Sequence, residues 1–160
     1  MLQAFIPVQQ GVLSGIAHWE TILSNLSEEQ VCIPRNNQHR NIKQILGHMV
    51  DSATNNTHRV VHLQYQPSPF EFPNYATEGN NDRWIAIQDY EHENWKELVQ
   101  LWKSVNLHFV LVISVVQQDK LQQKWNAAPG VPVSLEEMVV DYLRHFNLHL
   151  DEIGALMKAV

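Results

Sequence analysis

His145 and His149 stand four residues apart in the segment Leu143-Arg144-His145-Phe146-Asn147-Leu148-His149-Leu150. Apolar residues recur there at helical spacing, so both imidazoles project from one helix face, a turn apart. That is the spacing at which a helix offers two nitrogens to one metal ion. A third imidazole, His48, falls on a polar line inside another helix-like run, and three histidines from two helices can close one site. Neutral imidazole suits Zn, Ni, Cu or Fe, and a three-histidine set leaves a coordination position open to water or substrate. In that position the pKa of a water falls toward neutrality and a thiol is held as thiolate, so either becomes a nucleophile at ordinary pH.

Other polar residues share these faces. Gln44, His48, Asp51, Asn55 and Arg59 follow one another at spacings of three or four beside an apolar stripe of Ile45, Met49 and Val60. Asp141, His145, His149 and Glu152 draw a similar line on the last helix. Asp51 or Asp141 is placed to orient an imidazole by accepting its second ring proton. Arg59, with Asn55, offers donors for a substrate carboxylate or phosphate, set against the ordinary reading of a lone helical arginine as a solvated surface residue. Tyr75 and Trp84 are candidate pocket aromatics, whereas Trp95 and Trp102 sit at core spacing.

Two competing readings stand beside this one. His48 could be a hydrogen-bonded core residue, with His145 and His149 on a solvated face. His58 and His62 form a second pair four residues apart, but Arg59 lies between them and repels a cation, so they read as surface histidines. There is no Ser-His-Asp arrangement, nucleotide-binding Gly-rich loop or paired-carboxylate motif, and the sole cysteine, Cys32, lies in a polar connector with no catalytic signature.

Four helices must position these groups. Val8, Val12, Ile16, Trp19, Leu23 and Leu26 mark the first, and Ser27 begins a polar connection through Pro34, Asn36 and Asn37. Asn41 caps the second, which runs to about Gln64. A long irregular segment from Gln66 to Asn81, with three prolines, is placed to line a pocket mouth. Asp82 or Asp89 caps the third helix, in which the β-branched run Val110–Val116 continues a helical pattern despite its strand propensity. Asp119–Val133 is a second long connection, and Ser134-Leu135-Glu136-Glu137 is a capping box that opens the fourth helix. The chain therefore reads as all-α, a four-helix bundle in a single domain over residues 1–160, with long loops between helices two and three and between three and four.

Composition narrows the function. A chain of 160 residues, 44% hydrophobic, buries a substantial core, and its net charge of -6 with eleven scattered Lys and Arg residues argues against nucleic acid as a partner. One cysteine excludes an intramolecular disulfide and a thiolate-rich metal site. No apolar run approaches the roughly 20 residues that span a bilayer, and the N-terminus lacks a basic leader, so no membrane partner and a cytoplasmic location are expected.

The run Asn41-Ile42-Lys43-Gln44-Ile45-Leu46-Gly47-His48-Met49-Val50-Asp51-Ser52, followed by Asn55 and Arg59, resembles the second-helix pattern of the DinB/YfiT-like superfamily, and the His145-to-His149 pair resembles that of its last helix. The superfamily comprises four-helix metal-binding proteins, among them metal-dependent hydrolases and thiol-dependent S-transferases. The resemblance implies that His48, His145 and His149 hold the metal, that the metal is Zn or Ni, and that the protein forms a homodimer. It also implies a small-molecule substrate and use of a low-molecular-weight thiol in the S-transferase case. Where relatives often carry Trp-Thr or Trp-Ser before this helix, the chain has Arg40-Asn41, which keeps the cap and removes a pocket-edge aromatic. The alternative to an enzyme is a ligand-binding or stress-response module on the same bundle.

Overall fold

In the computed structural model, described over residues 1–76 and 79–158, six α-helices and one hairpin follow in the order α1 (Ile6–Ser24), α2 (Glu28–Cys32), α3 (Ile42–Leu63), α4 (Asn80–Gln88), α5 (Trp95–Ser114), β1 (Lys124–Ala128), β2 (Val131–Ser134) and α6 (Leu135–Met157). The long helices α1, α3, α5 and α6 form the bundle. α3 packs between α5 and α6, and α1 packs on the same two helices from the other side. Helices consecutive in the bundle, α1 and α3 and then α5 and α6, thus sit mainly across a diagonal, and α3 meets α6 directly.

Capping residues set where the helices begin. Asn41 and Ser134 each accept from the third helical backbone N–H, and Gln44 and Glu137 return a bond to the cap's own N–H. These two capping boxes start α3 and α6 at the residues the sequence indicates. α5 is capped by Asn94, whose side chain accepts from the N–H groups of Lys96 and Glu97, and not by Asp82 or Asp89. Asp82 lies in α4, and Asp89 adopts a left-handed backbone that ends it. The β-branched run does remain helical to Ser114, because Phe109, Val110 and Ile113 are buried against the bundle. Each such buried large side chain contributes about 2–3 kcal/mol, more than the strand propensity opposes.

The connections carry more structure than the sequence suggests. Ser27-Glu28-Glu29-Gln30 is itself a capping box, which starts α2 where a polar connector is expected. The segment from Asp119 to Val133 holds the antiparallel hairpin β1–β2, so the expectation of no sheet is corrected. Pro129-Gly130 forms its turn, with Gly130 at φ 74°, a backbone conformation that favours glycine. Phe70, from the loop after α3, bridges to Trp125 of β1 and ties that loop to the hairpin. No helix among the described residues is long and apolar enough to cross a membrane.

Candidate metal centre

α3 and α6 bring three imidazoles together. One nitrogen from each of His48, His145 and His149 lies within 4.8 Å of the other two, the one such group of metal-ligating side chains among the described residues. The ring centroids stand 4.5 Å apart for His145 and His149, 4.8 Å for His48 and His149, and 5.5 Å for His48 and His145. The rings meet edge to face and do not stack.

Hydrogen bonds orient two of the rings. His149 Nδ1 contacts Glu152 Oε2 at 2.7 Å, which makes Nδ1 the proton-bearing nitrogen and leaves a lone pair on Nε2. Ser52 Oγ lies 3.3 Å from His145 Nδ1. The two Nε2 atoms then face each other at 3.0 Å. Nitrogens about 2.0–2.1 Å from one tetrahedral zinc stand about 3.3 Å apart, so the pair fits a shared cation. His48 Nδ1 is buried without a hydrogen-bond partner, so no protein group fixes the tautomer of that ring.

Electrostatics favour the neutral, ligating form of all three rings. Burial first, then the neighbouring His149, His145 and Arg40, pushes His48 down to about 2. Burial, then His149 and Arg144, lowers His145 to about 4 against the opposing pull of Asp141. Burial also lowers His149, against the raising effect of Glu152. The donor set is therefore three uncharged nitrogens with one carboxylate behind them, chemistry suited to a divalent transition metal.

The remaining residues singled out in the sequence divide into those the fold brings to this site and those it does not. Asp51 does not orient an imidazole: its carboxylate accepts from Tyr90 Oη at 2.7 Å and from Gln88 Nε2. Asp141 is held by Arg144 Nε at 2.6 Å. Glu152 takes the orienting role for His149, and its spacing of three residues from His149 is the signal that could have assigned it. Asn55 is buried and bonds back to the Asp51 carbonyl at 2.9 Å; its neighbour Asn56 faces the cavity instead. His62 is engaged by Tyr65 at 2.7 Å and stacked on Phe70, and His58 is exposed.

A cavity of about 480 Å³ opens beside His145. Ser52, Asn56 and Arg59 of α3, Tyr142 and His145 of α6, Tyr75 of the loop and Trp125 of the hairpin line it. Tyr75 is thus a pocket aromatic, its ring 5.9 Å from His48. Trp84 packs behind it at 5.7 Å and does not line the cavity. Trp125, which sequence spacing leaves without a position, enters through the hairpin. At the position of the lost pocket-edge aromatic, Arg40 is buried and forks onto Asp82 Oδ1 at 3.1 and 2.5 Å, clasping α4 to the start of α3.

Comparison with known proteins agrees with this architecture. Residues 15–153 match the model of the DinB superfamily, and the chain belongs to that superfamily. No curated protein matches its sequence. Among solved structures it resembles YfiT from Bacillus subtilis, described as a probable metal-dependent hydrolase with an unusual four-helix bundle topology. The TM-score is 0.84 at 14% identity, over 99% of this chain and 89% of that one. It also resembles the mycothiol-dependent maleylpyruvate isomerase, with a TM-score of 0.75 at 14% identity, over 96% of this chain and 64% of that one.

Proposed function

We propose that the protein is a metal-dependent enzyme of the hydrolase or thiol-dependent S-transferase type, in which His48, His145 and His149 hold a divalent zinc or nickel ion. The convergence of three neutral imidazole nitrogens within 4.8 Å, with His145 lining a cavity, carries this reading. When bound, the ion supplies Lewis acidity that makes a water or a small-molecule thiol nucleophilic at neutral pH. Glu152 holds His149 in the ligating tautomer, and Ser52 fixes the rotation of His145. Tyr75 and Trp125 line the cavity with His145. The thiol arm draws on the fold shared with a mycothiol-dependent enzyme.

Metal analysis of the purified full-length protein, followed by turnover assays, tests the proposal. One array pairs low-molecular-weight thiols with small electrophiles; the other offers esters and amides. Stoichiometric metal and a turnover lost in His145→Ala are expected. Metal with specific ligand binding and no turnover would assign the protein to the ligand-binding alternative, and absence of stoichiometric metal would remove the proposal altogether.

A further inference from the structure

Arg59 is a buried cation that the proposed metal chemistry does not use. It is 4% exposed, yet its guanidinium has no carboxylate within ion-pair distance among the described residues. Among the described residues its terminal nitrogens reach only two side-chain amide oxygens, Asn56 at 3.4 Å and Asn74 at 3.3 Å, both long contacts, and its Nε is buried without a partner. The charge rests instead on aromatic faces, 4.0 Å from the centroid of Trp125, 5.4 Å from Phe72 and 5.6 Å from Tyr75. Burial lowers the group to about 10, so it remains charged at neutral pH. An ionised side chain held out of water with its donors so poorly filled costs free energy that a bound anion would return.

The cavity shows where such an anion would lie. Arg59 and His145 both line it, and Ser52, which touches His145, stands two turns from Arg59 on α3, about 10 Å of helix rise. We propose that Arg59 seats the carboxylate of a small, flat-bodied monoanion whose far end reaches His145. This deepens the proposed function and rests on it only for what that far end meets. A guanidinium fork matches a carboxylate edge to edge, and the aromatic walls of Trp125 and Tyr75 suit a planar body. A phosphate dianion fits less well: Arg59 is the one cationic side chain of the lining, and Glu137 and Asp141 in the same wall oppose a second negative charge. The carboxylate can belong to an organic acid substrate or to a carboxylate-bearing thiol.

Binding to the full-length protein, metal-free and zinc-loaded, separates these sources. Calorimetry and tryptophan fluorescence compare 3-phenylpropanoate with its amide, and the thiol 4-(mercaptomethyl)benzoate with its amide. At least one acid is expected to bind tenfold or more tightly than its neutral counterpart, with or without zinc, and to quench fluorescence through Trp125. Arg59→Met is expected to bring that preference below threefold, and Arg59→Lys, which keeps the charge and loses the fork, to leave it in between. A purely structural arginine would leave the acid-to-neutral ratio unmoved. Acids that bind no better than their neutral partners, a preference that survives Arg59→Met, one that appears only with zinc, or inorganic phosphate outcompeting both acids would each overturn the assignment. Should Arg59→Met fail to fold, the wild-type ratio and the Arg59→Lys variant decide. Metal content, measured separately, reports on the metal reading alone.

Discussion

The Nε2 atoms of His145 and His149 face each other at 3.0 Å across one turn of α6. With Glu152 holding the proton of His149 on Nδ1, the gap must contain either a proton from His145 or a shared cation. Removing any one of the three rings leaves two nitrogens, too few for a stable site. His48→Ala and His145→Ala are expected to lose stoichiometric metal, with an affinity decrease of at least about 100-fold. Elemental analysis with metal-dependent thermal shift reads this out, and a variant that still shifts like the wild type would refute it.

Glu152 offers a finer test. Glu152→Gln keeps an oxygen able to accept from His149 Nδ1 and removes the charge that strengthens the imidazole as a ligand. Metal affinity is expected to fall roughly 10–100-fold with the fold intact. Competition with a chelator of known affinity measures it; an unchanged constant would show that the carboxylate does not tune the site.

Asp51 supplies a pH signature in the metal-free protein. Burial raises its carboxyl from 3.8 to about 6, against the lowering effect of the bonds from Tyr90 and Gln88. Because the folded value lies above the unfolded one, the group's stabilising contribution is whole below about pH 4 and is lost as the pH rises through 6. Asp51→Asn retains an acceptor for both donors and never ionises. Wild type and variant should have equal stability near pH 4, and the variant should lead by up to about 3 kcal/mol at pH 7. Denaturant unfolding between pH 4 and 8 checks this, and parallel stability curves would contradict it.

Gly47 precedes His48 and lies under Tyr90. A Cβ built at Gly47 falls 2.2 Å from the Tyr90 ring, the residue whose hydroxyl bonds Asp51. Gly47→Ala must push that ring aside, with an overpacking cost of about 1–3 kcal/mol. The loss should appear in unfolding experiments together with a shift in the Asp51 titration, and a variant as stable as the wild type would refute it.

Much of this was visible in the chain. Asn41 and Ser134 with their partners three residues on fixed the starts of α3 and α6, and helical periodicity placed His145 and His149 on one face. Periodicity cannot say which helices touch, and the meeting of His48 with that pair depends on α3 lying against α6. It also cannot choose between neighbouring polar residues: Asn55 and Asn56 differ by 100° of helix rotation, and only packing selects Asn56 for the cavity. Sequence does not distinguish Glu152 from Asp51 and Asp141, because carboxylates on a polar line look alike until the partners of the latter two, Tyr90 and Arg144, are in place. The hairpin was hidden because Pro132 and the small residues Ala127 and Ala128 dilute any alternating pattern, although Pro129-Gly130 marks its turn.

The bridge from Phe70 to Trp125 joins two connections that contribute none of the three histidines. The proposed metal ligands belong to helices, whereas part of the rim around the opening is supplied by the loop and the hairpin. A change in either connection can therefore alter what the cavity accepts while the histidine cluster stays as it is.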